Sequence, residues 1–370
     1  MAIAGEIAAA GHRTLRVRPL VARAADLAIF ALIWIYSSPA GSRADYPAVG
    51  TALLLAFGPA LLLIYATSAS FQTILLRRRI SFFETAQVFV AALLSLWSVL
   101  VFWPGYGRLV LGVFCLFASA AGYAVTFAWF SRVHVERNYH VYATGSLALL
   151  LAGSFLCLPP GWLPLCLDIA AVTSILIGTS RARLTLQFHA LALLAASAFA
   201  SGLFVYIFRA MAGTFPGAPG PIVTLVGACA IVCYGAVVRF RAARSPTQAP
   251  QLLFAALAEG STTALLVWIL AWLTAVGIAL EAEHFALIRT LAACTAALAA
   301  AWCGSRWPHR ELVWLAWAAL GLIALKLLLE DLRHGHLGFT AASIFLYAVT
   351  LLLVPRLLHI KNNAASHNSG

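Results

Sequence analysis

The stretch LVLGVFCLFASAAGYAVTFAWF, residues 109–130, runs for 22 positions without a charge. Its apolar residues do not alternate with polar ones. A bilayer core of about 30 Å is crossed by about 20 apolar residues in a helix. A spanning strand would instead alternate apolar and polar residues over about ten positions. Lipid offers no hydrogen bonds, so only helices and closed barrels satisfy every backbone group of a spanning segment. The pattern of 109–130 selects the helix.

The composition extends that reading to the whole chain. Of 370 residues, 63% are hydrophobic and 10% are charged. The mean hydropathy is +0.93. Soluble domains are roughly half apolar and about a quarter charged, so the excess apolar surface needs lipid as its solvent. The fold class is all-α: a polytopic integral membrane protein with about twelve transmembrane helices in serial hairpins. The expected spans are 24–39, 47–76, 83–103, 109–130, 140–158, 163–178, 185–208, 221–238, 252–279, 285–303, 312–329 and 338–355. The second and ninth are long enough to tilt or bend, and Pro59 supplies a bend in the second. A basic segment, 1–23, precedes the transmembrane domain, 24–357, and a polar tail, 358–370, follows it.

The connectors alternate in character. One set is rich in arginine: RRR at 77–79, SRVHVERN at 131–138, SRAR at 180–183, RFRAAR at 239–244 and SRWPHR at 305–310. The other set is poor in it: GSRAD at 41–45, PGYGR at 104–108, PPGW at 159–162, GTFPGAPGP at 213–221, EAEH at 281–284 and EDLRHGH at 330–336. Placing both termini with the first set puts 18 of the 24 Lys and Arg on one side. The exceptions are Arg43, Arg108, Arg209, Arg289, Lys326 and Arg333. Cytoplasmic loops carry the Lys and Arg excess, so both termini are expected in the cytoplasm, with about six hairpins opening toward it. The first span, with arginines before LAIFALIWIY and SSPAGSRA after it, also fits a signal peptide. The late arginines and the proline favour an uncleaved helix.

The net charge of +12 suits nucleic acid in a soluble chain. Here the basic residues lie between apolar runs, as membrane topology requires, and no nucleic-acid partner is expected. The expected partners are the lipid bilayer and, through small-residue helix faces, other membrane subunits or a second copy of the chain. In lipid, small residues let helix backbones approach. Ala292, Ala296, Ala300 and Gly304 form one such line in the tenth span, Ala293, Ala297 and Ala301 a second. Ala192, Ala196 and Ala200 form one in the seventh. The arginine-rich ends also share a pattern, Arg followed by a polar residue that opens an apolar helix. It reads as serial duplication of a two-helix unit of about 55 residues, as in RRRISFFETAQ and SRARLTLQFHA. Inverted transporter repeats would reverse orientation.

An ionisable residue at depth in a membrane is a functional candidate. Glu259, in ALAEGSTTAL, is the deepest acid; a hydrogen-bonded carboxyl or a span that starts later than drawn is favoured over a role in proton or cation handling. Asp168 lies toward the arginine-poor end of the sixth span, and His189 one turn into the seventh. Arg289 opens the tenth span and is expected to pair with Glu281 or Glu283. Lys326, Glu330 and Asp331 stand at the end of the eleventh span, in ALKLLLEDLRHGH at 324–336. Lys326 is expected to snorkel toward the headgroups, with Glu330 at i+4 in the weaker Lys-first order.

No cofactor or metal is expected. A haem would need a second deep histidine beside His189. The seven cysteines sit in or beside apolar runs, without CxxC or zinc spacing. No HExxH, P-loop, GxGxxG or nucleophile elbow is present, so no catalytic residue is assigned.

Two stretches carry a resemblance. ELVWLAWAALGLIALKLLLEDL with TAASIFLYAVTLLLVPRLL, and FCLFASAAGYAVTFAWF with RNYHVYATGSLALLLAGS, resemble uncharacterised bacterial polytopic membrane proteins built of serial helix hairpins. Lys326, Glu330 and Asp331 match a Lys-x-x-x-acid step in the penultimate helix of that class. The resemblance covers about a third of the chain. It implies a bacterial inner-membrane protein and no chemistry. The function expected is a structural or accessory membrane subunit. The alternative is a transporter or channel for a small or lipidic solute, using Glu259, Asp168 and Lys326.

Overall fold

The computed structural model describes residues 18–38, 45–130, 136–181, 183–212, 217–240, 249–275, 282–307, 309–332 and 337–367. Among them are thirteen α-helices and no strand. Twelve of the helices are long and apolar enough to cross a membrane. The chain is an all-α polytopic membrane protein. The single transmembrane domain expected from the hydropathy divides into two compact units, Met1–Leu158 and Pro159–Gly370. The boundary falls in the LPPGW connector, where two prolines stop helix propagation.

The first unit holds α1 (Arg18–Ser37), α2 (Thr51–Ser70), α3 (Phe82–Phe102), α4 (Tyr106–Val125) and α5 (Glu136–Cys157). Ile33 of α1, Leu61 and Tyr65 of α2, and Ala91 and Leu94 of α3 form one buried cluster. α2 runs on through Pro59. It ends in a π turn, Phe71–Leu75, and α4 ends in another, Thr126–Phe130. Ser81 caps α3: its hydroxyl accepts from the Glu84 N–H, and the Glu84 carboxylate accepts from the Ser81 N–H. This reciprocal pair satisfies two orphan donors at the helix start.

α4 and α5 pack most extensively within this unit, and glycines are the reason. A methyl group on Gly153 would stand 2.8 Å from the Gly112 carbonyl oxygen. One on Gly122 would collide with the Ser146 hydroxyl. The Ser119 hydroxyl donates to the Ser146 carbonyl at 2.7 Å across the same seam. At the arginine-rich end, fully buried Asn138 of α5 clamps the turn between α2 and α3. Its amide donates to the Arg78 carbonyl, and its side-chain oxygen accepts from the Ile80 N–H, both at 2.9 Å.

The second unit holds α6 (Leu163–Ser180), α7 (Leu184–Ser201), α8 (Leu203–Ala212), α9 (Pro221–Phe240), α10 (Ala249–Ala275), α11 (Ala282–Arg306), α12 (Arg310–Lys326) and α13 (Leu337–His367). The expected seventh span, 185–208, is two helices. Gly202, at φ +78°, ends α7 in the left-handed conformation and α8 starts behind it. A glycine adopts that conformation at no steric cost. α13 continues to His367, past the expected start of the polar tail at 358.

Serial hairpins are present, offset by one span from those expected. The extensive neighbouring pairs are α2–α3, α4–α5, α6–α7, α9–α10 and α11–α12. Each closes on an arginine-rich connector. α11 is the most enclosed span of the chain. Ala292, Ala293, Ala297, Ala300 and Ala301 are buried, and Gly304 lies against Val313 of α12. The alanine lines of α11 are therefore helix–helix contacts inside the unit, except half-buried Ala296. The α7 line is not: Ala192, Ala196 and Ala200 are half-exposed, and Ala190, Leu193, Leu194, Ser197 and Ala198 make the buried face instead.

Candidate functional site

Four ionisable groups converge in the second unit. Arg289 comes from the second turn of α11. Lys326 ends α12, and Glu330 and Asp331 close the π turn, Leu327–Asp331, that continues it. In an α-helix, positions i and i+4 share a face. The wider π turn closes i→i+5 hydrogen bonds and brings Asp331 onto the face of Lys326. The Lys326 ammonium stands 2.6 Å from Asp331 Oδ1 and 3.5 Å from Glu330 Oε2.

The remaining donors of Lys326 are also used. Nζ donates to the Ala286 carbonyl at 2.9 Å and to the Thr290 hydroxyl at 2.8 Å, both on α11. Thr290 Oγ1 lies 3.2 Å from the second Asp331 oxygen. The Asp331 carbonyl accepts from Thr340 of α13 at 3.0 Å. Arg289 pairs through Nη1 with Glu330 and donates from Nε to the Ala210 carbonyl of α8 at 3.0 Å. The network thus joins α8, α11, α12 and α13.

Two cations face two carboxylates, so the cluster is neutral when all four are ionised. The side chains of Arg289, Lys326 and Asp331 are 4%, 10% and 2% exposed, and Glu330 is 27% exposed. Isolated charges at that burial are strongly unfavourable, and pairing with extra hydrogen bonds makes them tolerable. Lys326 lies five residues before the end of its span, Arg310–Asp331, the end-of-span position expected of it. Its ammonium reaches α11 and the end of its own span: Glu330 is within ion-pair distance, as expected, and Asp331 is nearer still. Arg289 pairs with Glu330; its expected partners, Glu281 and the Glu283 side chain, lie outside the described residues.

The other candidates stand apart from this network. Asp168 is buried on α6 against Ser197 of α7 and Cys229 of α9, with Oδ1 unpartnered. His189 is buried on α7. Glu259, ten residues into α10, lines a cleft of about 360 Å³, and its Oε2 is buried without a hydrogen-bond partner. The helix starts at Ala249, before the expected 252. Neither Asp168 nor Lys326 lines the cleft. Among the described residues no group of His, Cys, Asp or Glu is arranged to hold a metal ion.

Two further acids, half-buried Asp26 and buried Glu311, escaped the sequence reading. Asp26 of α1 lies beside Tyr65 of α2. Glu311, in the first turn of α12, is fully buried 3.6 Å from His309. Both adjoin arginines at the start of an apolar run, where a charge reads as a boundary marker. The positive end of the helix dipole also favours an acid such as Glu311 in the first turn.

The fold and the site define a multi-pass membrane protein with a paired charge network at the end of one of its apolar helices. No protein-family model, no curated protein and no solved structure matches the chain.

Proposed function

We propose that this protein is a structural or accessory subunit of a bacterial inner membrane, with both termini in the cytoplasm. One observation carries the reading: Arg289, Lys326, Glu330 and Asp331 spend their charges on one another and on helix backbone. Such an arrangement fastens helices together and leaves no free charge for a passing solute. The resemblance to bacterial proteins of serial hairpins supports the inner-membrane location. The arginine bias of the connectors supports the orientation. The half-exposed line of Ala192, Ala196 and Ala200 supports a helix contact with another subunit or a second copy.

A transport role for Glu259, Asp168 and Lys326 is the second reading, favoured by the cleft at Glu259. It is weakened by the engagement of Lys326 with Asp331.

Native mass spectrometry of the protein extracted with its surrounding membrane tests the first reading. The expected result is a fixed-stoichiometry complex with another membrane protein or with itself. A monomer throughout, together with solute flux in liposomes, contradicts it. Orientation is tested separately by labelling Arg78→Cys, Ser180→Cys and Ala218→Cys in intact cells. Only Ala218→Cys should react from outside; labelling of that position from the cytoplasm overturns the topology.

A further inference from the structure

The cleft at Glu259 lies between the later halves of α9 and α11, the first half of α10 and the start of α12. It therefore sits toward the ends that carry the arginine-rich connectors 239–244 and 305–310. Its wall is formed by aliphatic side chains, many of them alanines of α10 and α11, with Tyr234, Glu259, Thr262, Trp307 and His309 as its polar or aromatic members. Among the described residues no Lys or Arg lines it.

We infer that this cleft binds a small amphiphilic cation, a protonated amine on a single apolar chain, with the ammonium on the Glu259 carboxylate. The cleft's 360 Å³ falls near the lower end of the roughly 300–1,000 Å³ typical of small-molecule sites, which are apolar with a few placed polar groups. That size favours one chain over a two-chain lipid. A carboxylate withdrawn from water needs a counter-charge or a donor. Among the described residues Glu259 Oε2 has neither, and no Lys or Arg of the wall supplies one. An ammonium-bearing occupant supplies it. The Thr262 hydroxyl donates to the Glu259 carbonyl at 2.9 Å, which leaves its oxygen free to accept from an ammonium. Trp307 and Tyr234 offer aromatic faces, which attract cations. An anionic head is excluded by repulsion from the same carboxylate.

The test is binding of radiolabelled octylamine to the purified full-length protein in phosphatidylcholine nanodiscs, with empty nanodiscs subtracted. Saturable binding is expected, and Glu259→Gln should weaken it by at least about tenfold, as loss of a close charge pair does. Octanol and octanoate should bind more weakly than octylamine by a similar factor. Gly235→Leu provides an independent arm. A Cβ there meets nothing within 4 Å, so the larger side chain enters the cleft without disturbing the helix. It should abolish binding at unchanged thermal stability. Octanol binding as tightly as octylamine, undiminished octylamine binding by either variant, or no binding above empty nanodiscs overturns the inference.

Discussion

Lys326 lies 2.6 Å from Asp331 and 3.5 Å from Glu330. A regular helix would have reversed that preference, because its i+4 neighbour is Glu330. The π turn at Leu327–Asp331 makes the difference. It places a buried carboxylate under the ammonium and leaves the half-exposed one for Arg289. Two ion pairs thus form where register alone allows one.

The two pairs should respond unequally to truncation. Arg289→Met leaves Glu330 unpaired, but that side chain is 27% exposed and keeps Lys326 nearby. Lys326→Met leaves Asp331, 2% exposed, with no cation in contact. Removing one partner of a buried pair costs about 3–5 kcal/mol, so Lys326→Met should fall in that range and Arg289→Met below it. Reversible unfolding in bicelles measures both, and equal costs would contradict the division of the network into an exposed and a buried pair.

Asn138 should hold the turn between α2 and α3. Asn138→Ala removes the acceptor of the buried Ile80 N–H and the donor to Arg78. An orphaned buried donor costs about 1–3 kcal/mol. Hydrogen exchange at residues 77–81 should rise by the corresponding factor in the variant. Unchanged protection there would show that the turn is held by other contacts.

The α4–α5 seam should reject even a methyl group. Gly153→Ala brings a Cβ to 2.8 Å from the Gly112 carbonyl oxygen, and backbone cannot swing aside as a flexible side chain can. Overpacking of this kind costs about 1–3 kcal/mol. Gly145→Ala is the matched control on the same helix, since its Cβ meets nothing within 4 Å. Equal stability of the two variants, measured by the same unfolding assay, would contradict the close approach.

The spans were legible because lipid makes burial a local property: a run such as 109–130 must be helical whatever surrounds it. The break at Gly202 was not, since apolar residues continue on both sides and glycine is common in membrane helices. Which alanines face a neighbour was legible only in part. α11 is packed on most sides, so nearly any stripe on it is buried. α7 has one packed face, and with apolar residues all round it no residue pattern marks that face. Lys326, Glu330 and Arg289 stood out singly as ionisable residues in apolar runs. The Lys326–Glu330 contact followed from the i+4 spacing; the pairs Lys326–Asp331 and Arg289–Glu330 did not, because they depend on the π turn and on α11 meeting α12, both tertiary facts. Asp331 was visible, but α-helical register hid it behind Glu330.

The most direct measurement of whether the network compensates its own charges is a double-mutant cycle on Lys326→Met and Asp331→Leu, read by reversible unfolding in bicelles. The two single variants should each lose about 3–5 kcal/mol, because each leaves one buried charge uncompensated. The double variant should lose less than either single one, since it leaves neither charge behind. Additive losses, with a coupling energy below about 0.5 kcal/mol, would show that the two buried charges do not compensate each other.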